Sequence, residues 1–288
     1  IEIHSRASGI QYGARAPQQP DIVEWLKNID LNLFETNQMN FTFDTNLMPD
    51  IGVYWKEYKA YPLSTTVHTA LEFMNLHKGR RPVIFENDFW YFQEIIDTKL
   101  KSVSEINEND LLIMSVPFFE TFKYKHNMDD ILKRCCDLDI PVMLDLIWLP
   151  LATVERPLRY TDCVQVIAQS MTKALPLSGI KGGVCFWRQP VPKRFNMYPL
   201  GNNVGFAITK KYLEHFGYYH VRDSLRGLQN KWCKMLSLQP HTMVMCGHIP
   251  DDHFLVGESL HSHRIAKSNL FNLLPFYEND KEISRFLS

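Results

Sequence analysis

Five short apolar runs set the limits on what this chain can fold into: Pro82-Val-Ile-Phe85, Leu111-Leu-Ile-Met-Ser-Val116, Pro141-Val-Met-Leu-Asp145, Cys163-Val-Gln-Val-Ile-Ala168 and Gly183-Val-Cys-Phe-Trp187. Runs of this length and bulk, without polar alternation, read as strands covered on both faces. Helical patterns separate the first three, notably Asn127 to Leu138, where Met128, Ile131, Leu132 and Cys135 make one face. That alternation predicts an α/β fold with a mostly parallel central sheet and flanking helices. Only about a dozen residues separate the fourth and fifth runs, too few for an ordinary crossover, so the last strand is expected to run antiparallel.

The flanks read more simply. Ser64-Thr-Thr followed by Val67, Ala70, Leu71, Phe73, Met74 and Leu76, and closed by Gly79, predicts a capped helix over 65–78. Residues 1 to about 60 are irregular, punctuated by Pro17, Pro20 and Pro49, with one amphipathic helix around Asp21 to Asn28. After Pro190-Val-Pro192 the texture changes to longer helical patterns, from Asn203 to Phe216 and from Tyr219 to Leu238, then a His-rich stretch and a terminal helix. The expected organisation is an N-terminal arm (1–50), a large α/β domain (51–190) and a smaller C-terminal α+β domain (191–288).

Composition removes several functions. With 31 basic and 32 acidic residues and a net charge of −1, the chain has no electrostatic footprint for nucleic acid or an anionic membrane surface. Charges break every long apolar run well before the roughly 20 residues of a membrane span. Cys135, Cys136, Cys163, Cys185, Cys233 and Cys246 show no framework spacing and are expected as reduced thiols in a cytoplasmic protein. The start lacks the basic and apolar regions of a secretory signal, and it is not Met, so the natural start is expected to be missing or processed.

The chemistry concentrates in one stretch. Asp145 closes the third apolar run, and further on comes Ser170-Met-Thr-Lys173-Ala-Leu-Pro-Leu-Ser-Gly-Ile-Lys181-Gly-Gly. A lysine that joins an aldehyde cofactor bearing a phosphate needs hydroxyls and a second cation nearby, because the phosphate brings close to two negative charges. Ser170, Thr172 and Lys181 supply them, and together with Asp145 they suggest a pyridoxal phosphate pocket. Burial beside Lys181 is expected to depress the pKa of Lys173. Backbone N–H groups at the start of the 65–78 helix, with the hydroxyls of Ser64, Thr65 and Thr66, form a second phosphate cradle.

These residues resemble the fold type I pyridoxal phosphate-dependent enzymes, the aspartate aminotransferase superfamily. The family's lysine motif runs Ser-x-Ser/Thr-Lys, with a cation eight residues on and small residues after it; here these are Ser170, Thr172, Lys173, Lys181, Gly182 and Gly183. The resemblance covers about 50 to 190, and its sharp motifs lie within 145 to 183. It implies that Lys173 carries pyridoxal 5'-phosphate as a Schiff base and later moves the substrate's α-proton. It also implies that Asp145 keeps the pyridine nitrogen protonated, and that Trp90 stacks on the ring.

The chain departs from the family pattern at three places: Phe119 stands where an asparagine is usual, Trp148 where a tyrosine touches the ring hydroxyl, and Lys181 where an arginine binds phosphate bidentately. Arg285 is the candidate for the substrate carboxylate, and Tyr54, Tyr58 or Tyr61 for a tyrosine that crosses a homodimer interface. The resulting expectation is an aminotransferase-like enzyme acting on an amino acid or amine. Taken singly, each residue has a plainer reading: Lys173 and Arg285 as solvated surface, Ser64 to Thr66 as an ordinary cap, Trp90 as core or rim. Two other classes stand beside it: a non-catalytic relative that keeps the fold for binding or assembly, and a metalloenzyme built on Cys246, His248, Asp251, Asp252, His253, His261 and His263. The latter residues suit zinc or iron by type but lack a tight ligand spacing.

Overall fold

The structure, a computed structural model, describes residues 16–17, 19–30, 42–119, 121, 127–175, 181–188, 202–250 and 269–278. Strands β1 (Tyr58–Pro62), β2 (Arg81–Phe85), β3 (Thr98–Leu100), β4 (Asp110–Ser115), β5 (Val142–Asp145), β6 (Val164–Ser170) and β7 (Gly183–Arg188) form one sheet in the order β1-β7-β6-β5-β4-β2-β3. From β3 through β6 every neighbouring pair is parallel, whereas β7 runs antiparallel to both β6 and β1. The short link between β6 and β7 leaves no length for a crossover helix, which is why the sheet reverses there.

Two strands differ from the sequence expectation. β1 occupies a sheet edge and carries exposed Lys59 and a terminal Pro62, a composition that edges tolerate and that reads as irregular chain. β3, at the opposite edge, has three residues, too few for any periodicity to show.

Helices cover both faces: α1 (Pro20–Asn28), α2 (Thr66–Leu76), α3 (Trp90–Ile95), α4 (Met128–Asp137), α5 (Asn203–Phe216), α6 (His220–Met235) and α7 (Leu274–Glu278). Strand alternation sorts the core into two layers. Ile84, Ile113, Met143, Val166 and Ala168 meet Ala70 and Phe73 of α2. Phe85, Leu112, Leu144 and Ile167 belong to the larger layer with Ile131 and Leu132 of α4, Phe206 and Tyr212 of α5 and Leu225 of α6. Each fully buried side chain of this size contributes about 1.5–3 kcal/mol.

α2 begins where its cap dictates, with Thr65 Oγ1 accepting from the His68 amide at 2.9 Å. α1 lies against α5: Trp25 meets the rings of Tyr212 and Phe216 at 6.2 and 5.6 Å, and Asp21 pairs with His220 at 2.7 Å.

A second, three-stranded antiparallel sheet joins β8 (Gln239–Pro240), β9 (Cys246–His248) and β10 (Leu270–Asn272) in the order β10-β9-β8. It shares a separate core with Trp232 and Phe276. Gln229 ties the preceding loop to α6, its amide donating to the carbonyls of His241, Met243 and Cys246 at 2.9, 3.0 and 2.7 Å. No helix among the described residues is long and apolar enough to cross a membrane.

Candidate active site

The parallel strands end together, and the pleat decides which terminal side chains share a face. Met143 points into the α2 layer, so Asp145, two residues on, points the same way. Ser115 of β4 and Ala168 of β6 are its Cα partners in the ladder. Asp145 is 1% exposed. Its Oδ1 accepts from the Ile147 amide at 3.0 Å. Oδ2 is buried with no hydrogen bond of normal geometry, although the Thr66 hydroxyl at the start of α2 lies close enough to favour the charged form.

Lys173 stands in the turn after β6, near enough for its charge to act on this carboxyl. The amides of Ala174 and Leu175 both bond back to the Met171 carbonyl, at 3.1 and 2.8 Å, which tightens the chain around the lysine. The Lys173 Nζ lies over the Trp148 ring, 5.0 Å from its centroid, and beside the Asp145 charge. Trp148 is 1% exposed, so it presents a desolvating wall with a cation–π face. The Ala16 amide donates to the Lys173 carbonyl at 2.6 Å.

The electrostatics follow from burial. Desolvation lowers Lys173 from 10.5 to about 8, opposed by the Asp145 charge. It raises Asp145 from 3.8 to about 7; the Ile147 amide opposes the rise, the Asp88 charge adds to it, and Thr66 and Lys173 oppose it. An amine and a carboxyl that both titrate near neutrality, close enough for their charges to act on each other and largely out of water, are groups able to hold and move protons. The depression of Lys173 comes from burial and not from Lys181, whose side chain is exposed.

The other candidates divide. Ser170 Oγ and Thr172 Oγ1 meet at 3.0 Å immediately before Lys173. Thr66 is buried beside Asp145, Thr65 is committed to capping, and Ser64 is half-buried. The glycines after Lys181 have a packing role. A Cβ on Gly205 would meet Gly182 Cα at 2.7 Å and the Lys181 carbonyl at 2.8 Å, so bare backbone lets the start of α5 rest on this segment. Asn202 Nδ2 donates to the same Lys181 carbonyl at 3.0 Å.

Trp90 opens α3, with ring contacts to Phe89 and Tyr91 at 6.0 and 5.4 Å. Phe119 is buried and stands edge-on to Phe89 at 5.6 Å, so an aromatic wall occupies the place where the family pattern has an asparagine. Of the three tyrosines, Tyr54 is 63% exposed, Tyr58 is buried with its hydroxyl donating to the Val164 carbonyl at 2.7 Å, and Tyr61 is buried.

Arg285 lies outside the described residues, as do Asp251, Asp252, His253, His261 and His263. Cys246 is fully buried, and among the described residues no group of three or more His, Cys, Asp or Glu is placed to hold a metal.

Sequence reasoning missed Asp88. It is 2% exposed, and its two oxygens accept from the amides of Phe89 at 2.7 Å and Ser115 at 2.9 Å. The only sequence signal is the polar Glu86-Asn-Asp88 following a buried strand.

These residues fit pyridoxal phosphate on one specific point. Asp145 Oδ2 is a buried acceptor in want of a donor, and a protonated ring nitrogen is such a donor.

No protein-family model matches this sequence, and no curated protein matches it. Solved structures do. The chain is similar to an aspartate aminotransferase from Thermus thermophilus with maleate, with a TM-score of 0.50 at 12% identity, covering 85% of this chain and 72% of that one. A single mutant of the Thermus thermophilus enzyme gives 0.49 at 12% identity, covering 86% and 71%. A PLP-bound C-S lyase from Staphylococcus hominis complexed with L-cycloserine gives 0.44 at 11% identity, covering 86% and 70%. Identity this low speaks for architecture alone. The seven-stranded, mostly parallel sheet and its helical layers share the architecture of the Thermus thermophilus aspartate aminotransferase.

Proposed function

We propose that this chain is a pyridoxal phosphate-dependent, aminotransferase-like enzyme that acts on an amino acid or amine, with Lys173 carrying the cofactor and Asp145 tuning it. The observation that carries the reading is a partly buried amine within the electrostatic reach of a buried carboxyl whose second oxygen makes no hydrogen bond of normal geometry. When bound, pyridoxal phosphate supplies an electron sink for a carbanion at the substrate's α-carbon.

The chain's own groups supply the rest. Lys173, brought to about 8, exchanges a proton near neutral pH. Asp145 holds negative charge against the ring nitrogen, and Trp148 keeps water from the amine. Ser170, Thr172 and Lys181 bind the phosphate together with Ser64, Thr65 and Thr66 at the start of α2. Trp90 stacks on the ring, and Arg285 takes the substrate carboxylate.

The proposal includes a cytoplasmic homodimer, in which exposed Tyr54 is the tyrosine best placed to reach a partner. It also includes the division into an arm (1–50), a cofactor domain (51–190) and a small domain (191–288). A second reading, a relative that binds without turnover, is favoured by Phe119 and Trp148, which offer no oxygen to a ring hydroxyl.

Purified protein incubated with pyridoxal phosphate should retain the cofactor through gel filtration and show its visible absorbance band, and Lys173→Ala should lose the band. A colourless wild-type protein refutes the proposal. Half-reaction assays with a panel of amino acids separate the two readings, because the binding relative leaves the spectrum unchanged.

A further inference from the structure

Of the six cysteines five are buried, and Cys136, near the end of α4, is the one half-exposed thiol. It has a sulfur neighbour. Cys136 Sγ donates to the Tyr160 carbonyl at 3.2 Å, and Cys163 Sγ meets the same oxygen at 3.6 Å. Cys163 closes a 3-10 turn, Thr161–Cys163, that leads into β6. Its sulfur also lies 3.5 Å from the Leu132 carbonyl of α4. Residues four apart bond along an α-helix, so that carbonyl is the partner of the Cys136 amide. The Cys163 sulfur is therefore held against two oxygens, one shared with the Cys136 thiol and the other with the Cys136 backbone. Tyr160, whose carbonyl both thiols use, has φ 57°, in the left-handed region that bulky residues rarely adopt.

We propose that Cys136 and Cys163 form a redox-reactive pair that a small-molecule disulfide converts into an intramolecular disulfide. Neither cysteine is among the residues assigned to the cofactor, so the pair reacts whether or not Lys173 carries one. In a reducing compartment both rest as thiols. When a disulfide reagent accumulates, the more exposed Cys136 reacts first: its thiolate attacks one sulfur of the reagent, forms a mixed disulfide and expels a thiolate that takes up a proton. Cys163 is 9% exposed, and burial followed by the bond to Cys136 pushes its pKa up, so the reagent finds it neither open nor ionised.

The second step is intramolecular. Cys163 releases its proton, its sulfur attacks the Cys136 sulfur, and the other half of the reagent leaves as a thiol. Two protein thiols lose two electrons and two protons, and the reagent's disulfide gains them as two thiols. Closeness favours this step despite the raised pKa, because the attacking sulfur already sits on the oxygen that Cys136 uses. Both thiols give up that carbonyl as the sulfurs close to roughly 2.05 Å. Cys135 is one residue from Cys136 but turned about 100° round the helix, fully buried in the core. The bridge encloses β5, with Asp145 and Trp148 after Cys136, in one covalent loop and ties α4 to the entry of β6.

The test is to incubate reduced protein with oxidised glutathione at about pH 8, alkylate the remaining thiols in denaturant and map the peptides by mass. The wild type should lose two of its six free thiols and yield a linked pair of peptides carrying Cys136 and Cys163. Cys163→Ser should stop at a glutathione adduct on Cys136, and Cys136→Ser should stay fully reduced. Cys135→Ser should form the bridge as the wild type does, which tells the two adjacent thiols apart. A wild type that stays reduced, stops at the adduct, bridges through Cys135 or links two chains through Cys136 overturns the proposal. Should a serine variant fail to fold, alanine takes its place, and the wild-type map decides without any variant whether a bridge to Cys163 forms.

Discussion

Replacing Lys173 with methionine should make the cofactor-free protein more stable, by an amount that depends on pH in a defined direction. In the folded chain the amine titrates at about 8, whereas the exposed amine of an unfolded chain titrates near 10.5. Below pH 8 the folded state holds a partly desolvated cation at a cost. Between pH 8 and 10.5 the unfolded chain binds more protons than the folded one, so stability rises with pH and the cost is gone above 10.5.

The difference between 10.5 and about 8 corresponds to about 3 kcal/mol. Solvent at the half-buried amine reduces it, and methionine forfeits a cation–π contact with Trp148 worth about 0.5–1 kcal/mol. Methionine keeps most of the apolar stem. The net expectation at about pH 6 is a gain of about 1–2 kcal/mol, shrinking toward zero near pH 10. Urea unfolding followed by tryptophan fluorescence at both pH values reads it directly. A variant that is less stable at pH 6, or whose gain is the same at both, refutes the assignment of Lys173 as a cation held at the expense of the fold.

Two further outcomes follow from the packing. Gly205→Ala places a methyl 2.7 Å from Gly182 Cα, so it should destabilise by about 1–3 kcal/mol despite better helix propensity; a more stable variant in thermal melts contradicts the close approach of α5 to this segment. Tyr58→Phe removes the buried hydrogen bond to the Val164 carbonyl and should cost about 0.5–1.5 kcal/mol in denaturant unfolding, and an unchanged midpoint refutes the bond.

The sequence declared its structure best where burial on both sides leaves no choice of residue. β4, whose side chains are all buried, and β5 and β6 beside it appear as mostly apolar runs because a polar side chain buried there must find a hydrogen-bond partner to offset the water it loses. β1 stayed hidden because an edge strand answers to one neighbour, β7, and can carry Lys59 into solvent. The second sheet stayed hidden because strands of two or three residues have no period to read.

Within the candidate site, Lys173 and Asp145 stand out in the sequence by their places at the ends of buried strands, and the structure puts them near enough for the Asp145 charge to act on the amine. Asp88 does not stand out. What turns it inward is the backbone of Asn87, and one of the amides it accepts from lies 27 residues away in the chain. Of the two causes that the sequence suggests for the Lys173 shift, burial supplies the effect and Lys181 does not.

The hydrogen bond from the Ala16 amide to the Lys173 carbonyl couples the segment around residue 16 to the backbone of Lys173. A fusion partner, an affinity tag or a protease acting near residue 16 therefore tugs on the lysine's own backbone, and recombinant versions extended or trimmed at that end should be compared before any spectrum is assigned to the native pocket.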